Sequence, residues 1–110
     1  MKKTFSYSFS ESDIDIILFT LSIFPSLNLE DTIVQANINC QCCISAGEKL
    51  ISHRTDITPN ELRVIAASLK AAQLIAQGVY HVDDENTKNK CNSYLFSINK
   101  LVSIFSGLFS

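Results

Sequence analysis

Apolar residues recur along most of this chain at three- and four-residue intervals, the period of a helix with a buried face. The clearest instance runs from Thr58 to Gly78. Thr58 and Glu61 have capping-box spacing, Pro59 falls at the first helical position, where a missing N–H costs nothing, and Gly78 stands where a left-handed C-terminal residue is wanted. Wound as a helix, the segment gathers Arg63, Lys70, Gln73 and Gln77 into one narrow stripe and leaves nearly everything else apolar or alanine. Its neighbours should therefore enclose it.

The same reading predicts helices over 11–24, 29–52, 59–77 and 84–106. The first has Ser10 as N-cap, Asp13 at the capping-box position and Pro25 as its stop. It carries two apolar stripes: Ile14, Ile17, Leu18 and Leu21 toward the core, and Ile16, Phe19 and Ile23 on a second face that calls for a cover. The second helix, with Asn28 as N-cap, turns Leu29, Ile33, Ala36, Cys40, Cys43, Ile44, Gly47, Leu50 and Ile51 inward. Small residues Ala36, Cys40, Cys43 and Gly47 form a smooth seam there, to which the Ala-rich third helix should pack closely as an antiparallel hairpin. The fourth, capped by Asp83 or Asp84 and ended by Gly107, buries Cys91, Tyr94, Leu95, Ile98, Leu101, Val102, Phe105 and Leu108. Phe96 and Ile104 fall off that stripe.

Residues 1–10 follow a different period, alternating Phe5, Tyr7 and Phe9 with serines as a strand would. No other segment offers a partner strand. The segment is therefore expected to be an extended arm that either lies across the helices or adds as a strand to a partner or to its own symmetry mate. Together these elements predict an all-α single domain over 1–110, a small four-helix bundle or orthogonal helical packing with a short extended N-terminal arm.

Composition narrows the classes. With 46% hydrophobic residues, 3 Gly, 2 Pro and no Trp in 110 residues, the chain suits a compact globule of few, long elements. A formal net charge of −2 supplies no basic footprint, so direct nucleic-acid binding is not expected. The apolar run Ile16–Phe24 is about half the length needed to span a bilayer, and Met1-Lys2-Lys3 leads into serines and aromatics rather than a signal-peptide core. The expectation is a soluble cytoplasmic protein without a membrane partner, whose 4 cysteines are free thiols.

Candidate chemistry is sparse. Cys40 and Cys43 make a C-x-x-C, but in mid-helix, away from the helix N-terminus that would lower a thiol pKa, and both belong to the small seam. Cys42 points elsewhere, as an exposed thiol or part of a subunit contact. Cys40, Cys43, His53, His81 and Cys91 lack a second ligand pair at zinc-finger spacing, so no metal is expected. Asp83, Asp84 and Glu85 beside His81 read as a helix start, and His53, Arg54 and Asp56 as a polar turn. No phosphate-binding loop, nucleophile elbow or metalloprotease motif is present, and neither a cofactor nor catalysis is expected.

The functional expectation is a non-enzymatic intracellular protein–protein interaction module. It would be a compact inhibitor or adaptor encoded by a phage or other mobile element, acting as a homo-oligomer, most simply a dimer. Its interaction surface would comprise Phe5, Tyr7, Phe9, Ile16, Phe19, Ile23, Phe96 and Ile104. The alternative is a binding protein for an anionic or nucleotide-like small ligand, held by Arg54, Arg63, Lys70, Tyr80 and His81.

Overall fold

The computed structural model describes the backbone of residues 9–24, 33–53 and 56–109. Every regular element among them is a helix: α1 (Glu11–Ile23), α2 (Ile33–Ile51), α3 (Pro59–Ala76), α4 (Glu85–Ser93) and α5 (Leu95–Phe109). The expected N-cap Asn28, the start of the second helix, and the arm residues Phe5 and Tyr7 lie outside the described residues.

Local hydrogen bonding explains where the helices begin and end. Ser10 accepts from the Asp13 N–H at 3.1 Å, and Asp84 accepts from the Asn86 N–H at 3.0 Å. At α3 the full capping box forms, with the Glu61 N–H donating to Thr58 Oγ1 at 3.2 Å and the Thr58 N–H donating to Glu61 Oε1 at 2.8 Å. Gly78, at φ 76°, closes α3, with Gly78 N donating to Ile75 O and Val79 N to Leu74 O. That is the bond pair of a Schellman motif.

α3 packs against all four other helices. α1 and α3 form a central pair: α2 packs on both of them, and α5 also packs on both. The core holds Ile17, Ile65, Leu69, Ala72, Cys91, Ile98, Leu101 and Phe105 fully buried. Along one side of α3, Arg63, Lys70 and Gln77 are exposed and Gln73 is half-buried, as the polar stripe implied. Lys70 Nζ donates to Gln73 Oε1 at 2.9 Å, and Gln73 Nε2 donates to Asn99 Oδ1 of α5 at 2.7 Å.

Three expectations need correction. The last helix is two helices, because the path shifts at Tyr94, φ −97° and ψ 5°, whose N–H reaches both Lys90 O and Asn92 O. The weak helix formers Asn92 and Ser93 sit at that joint, and Ser93 Oγ donates back to Lys90 O at 3.0 Å, the local competition that loosens a helix. The shift leaves Tyr94 exposed and Leu95 and Val102 half-buried. Nor does Gly107 end α5, which runs to Phe109; Gly78 is the glycine with the positive φ a C-terminal cap uses.

The inward arc of α2 is also rotated from its expected direction. Cys43, Ala46, Gly47 and Leu50 are buried, whereas Ile44 and Ile51 face solvent. Consequently the small seam does not receive α3. A Cβ at Gly47 would meet Leu18 Cδ2 of α1 at 3.4 Å and nothing of α3 within 4 Å. α3 instead meets α2 one face over, through Ser45 and Lys49.

Candidate functional site

The rotation of α2 opens a groove of about 320 Å³ between α1 and α2. Leu18, Leu21 and Ser22 form its α1 wall; Cys40, Cys43 and Gly47 its floor; and Ile44, Glu48 and Ile51 its α2 rim. Gly47 contributes no side chain, so the groove exists because the seam is smooth and α1 alone does not fill it. Among the described residues, Glu48 is the single ionisable side chain on the walls apart from the two thiols. The large exposed apolar side chains concentrate on this helix, with Val34 70%, Ile38 46%, Ile44 59% and Ile51 63% exposed. Of these, Ile44 and Ile51 border the groove, while Val34 and Ile38 lie on a different side of the helix.

This is not where the sequence put the excess. Ile16, expected on an uncovered face, is buried in the core, while Phe19 and Ile23 pack half-buried against it. Phe19 is covered by the α4–α5 joint, where it meets the Tyr94 ring edge-on at 5.9 Å and Lys90 Nζ lies 5.4 Å from its centroid. Phe9 stacks on Phe105 at 5.7 Å, so the described end of the arm covers the core. Ile104 is half-buried against the core, and of the eight proposed surface residues Phe96 projects freely, 87% exposed. Val34, Ile38, Ile44 and Ile51 were missed as surface residues. Val34 and Ile38 lie one turn apart outside the expected inward arc of that helix, which is the signal that could have found them.

The proposed anion-binding residues are not brought together. Arg63 and Lys70 lie on the exposed stripe of α3, and Arg54 falls outside the described residues. Tyr80 and His81 do share a pocket of about 310 Å³ with Ile23, Val82, Asp83, Asp84 and Thr87. His81 Nε2 is 3.3 Å from Asp83 Oδ1, in full exposure. Asp84 is engaged as the α4 cap, and bonds from Thr87 and the Asn86 N–H hold its carboxyl below the usual range. Two carboxylates make this pocket hostile to an anion at neutral pH.

Two buried polar clusters went unforeseen. Glu61, already tied to Thr58, also accepts from Lys49 Nζ at 2.7 Å and from Ser45 Oγ. Lys49 further donates to Asp56 O at 2.9 Å, so this cluster locks the α2–α3 link. Burial raises the Glu61 carboxyl, but the bonds from Lys49, Ser45 and Thr58 outweigh it and the net shift is downward. The second cluster is Thr20 and Ser68, across α1 and α3. Both clusters are saturated by internal bonds and read as structural locks.

The four cysteines are free thiols, Cys40 and Cys42 half-buried, Cys43 and Cys91 buried. Burial first, then the charges of Cys40 and Cys42, push the Cys43 thiol up to about 11, the opposite of what a thiolate nucleophile needs. Among the described residues no three His, Cys, Asp or Glu side chains converge as a metal site, and no helix is long and apolar enough to cross a membrane. No protein family, curated protein or solved structure matches the chain.

Proposed function

We propose that this chain is a cytoplasmic protein–protein interaction module, a small inhibitor or adaptor that acts by occupancy, with the α1–α2 groove as its docking surface. The observation that carries the reading is the groove itself: a smooth, apolar trough bounded by exposed Ile44 and Ile51. Helix-in-groove recognition uses surfaces of this kind, where apolar anchors insert between two helices and main-chain approach is limited only by small floor residues. The test compares three baits from the native host: the unaltered chain, Ile44→Asp in the groove rim and Arg63→Ala on the polar stripe of α3. A partner retained by the first and third and lost from the second supports the reading; equal recovery by all three rules out the groove.

A small-ligand reading has one observation in its favour, the pocket beside Tyr80 and His81. Its carboxylates favour a cationic or neutral polar ligand over a nucleotide. Nucleotide titration at neutral pH should leave the melting temperature unchanged; a rise that grows with the logarithm of nucleotide concentration would move the function there.

A further inference from the structure

We infer that Cys40 and Cys43 form a dithiol site on the floor of the α1–α2 groove, one that takes a thiophilic trivalent centre carrying an apolar substituent, with aryl arsenic(III) as the representative class. The site uses the groove's two thiols and stands whether or not a protein docks there. Cys40 and Cys43 lie three residues apart in the middle of α2, and both line the groove. Both are free thiols. Cys42, also free, is absent from the groove wall, because successive residues of a helix turn by about 100°.

The spacing decides what the pair can hold. Helical neighbours three apart keep their Cβ atoms about 5–6 Å from each other, whereas a disulfide needs about 3.8 Å. A direct S–S bond would therefore distort α2, while an atom placed between the two sulfurs makes up the difference. Thiol donors select a soft centre, and two of them leave a tetrahedral zinc site incomplete. Trivalent arsenic bound to two sulfurs keeps one bond for carbon, and the rest of the groove suits what that bond carries. Leu18, Leu21 and Ile44 offer apolar contact to an aryl group, and Gly47 adds no side chain to the trough, whose volume is about 320 Å³.

The step is an exchange without a change of oxidation state. With phenylarsine oxide, two As–S bonds form, the bonding between arsenic and oxygen breaks, and the oxygen leaves as water with the two thiol protons. Half-buried Cys40 attacks first. Cys43, 5% exposed, then closes the ring from within the groove, where the arsenic is already held beside it and no second reagent molecule has to enter. The Cys43 thiol is pushed up to about 11, chiefly by burial, which disfavours a thiolate but not this product, in which neither sulfur is charged.

The experiment is a titration of the folded full chain with phenylarsine oxide in excess glutathione, a monothiol competitor, read by intact mass under non-denaturing conditions. The unaltered chain should retain one arsenical and release it to a small dithiol. Cys40→Ala and Cys43→Ala should each weaken binding about a hundredfold or more, as when a two-point attachment becomes a single one. Cys42→Ala should bind as the unaltered chain does. Circular dichroism checks the fold of each variant, and half-buried Cys40 keeps the test decisive even if replacing buried Cys43 unfolds the chain. Full retention by Cys40→Ala, loss from a folded Cys42→Ala, or no retention by the unaltered chain overturns the site. A para-carboxyphenyl arsenical should bind more weakly than the phenyl one, because its charge meets an apolar wall and Glu48 on the rim; equal affinity would overturn the groove's part in recognition. The bait comparison above separately decides whether the groove docks a protein.

Discussion

The Thr20 and Ser68 hydroxyls face each other at 3.1 Å across the α1–α3 contact, with both residues fully buried. Each also lies 2.8 Å from a carbonyl of its own helix, Thr20 from Ile17 O and Ser68 from Ile65 O. Two protons thus serve three contacts, and one hydroxyl shares its proton between a carbonyl and its neighbour. Thr20→Val and Ser68→Ala should each cost about 1 kcal/mol, because the surviving hydroxyl keeps its own carbonyl and is not orphaned. In a double-mutant cycle by urea unfolding, the pair should show a coupling of roughly 0.5 kcal/mol or more. Strict additivity would mean that the two hydroxyls do not interact.

Glu61 should give the protein an acid-sensitive stability term. Its folded-state pKa lies below its ordinary value, so the contribution is present above the unfolded pKa, about 4.3, and is lost as pH falls through the folded value. Lys49→Met should cost about 2 kcal/mol at pH 7, less than orphaning a fully buried charge, because Ser45 and Thr58 still hold the carboxylate. The difference from the unaltered chain should shrink in urea titrations as the buffer is taken below that acid limb. An equal loss at every pH would show that packing of the lysine stem, not its charge, is what matters.

Alkylation should separate the thiols. Cys43, pushed up to about 11 chiefly by burial, and Cys91, raised by burial alone, should resist iodoacetamide at pH 8 until the chain unfolds. Half-buried Cys40 and Cys42 should be modified first. Mass mapping that finds Cys43 labelled as fast as Cys42 would show that the α1–α2 contact opens readily.

Two small residues that the sequence treats alike should behave differently. Ala72 is fully buried, so Ala72→Leu should overpack the core and cost about 1–3 kcal/mol. Gly47→Ala adds a methyl at ordinary contact distance from the flexible Leu18 side chain and removes a helical glycine. It should be neutral or stabilise by up to about 1 kcal/mol. Thermal melts of both variants check this, and a strongly destabilised Gly47→Ala would mean that the seam is tighter than its contact with Leu18 implies.

The parts of the fold legible from residue order share one property: their bonds span three or four positions. The caps at Ser10, Thr58 and Asp84, and the left-handed stop at Gly78, are decided by a side chain and a backbone group within one turn. The strongest apolar stripe was equally legible, with Ile98, Leu101 and Phe105 all fully buried.

The sequence by itself therefore determined an all-helical chain, most helix ends, and α3 as the element the rest surrounds. Tertiary structure decided which way α2 faces. Its apolar arc was wide enough to be turned inward in more than one orientation, and the one adopted buries Ala46 and brings Lys49 and Ser45 to Glu61, contacts 12 and 16 residues apart that no local pattern encodes. That rotation exposed Ile44 and Ile51, set Gly47 against Leu18 and opened the groove. Periodicity says how much of a helix is apolar; only the neighbours settle which part of it is covered.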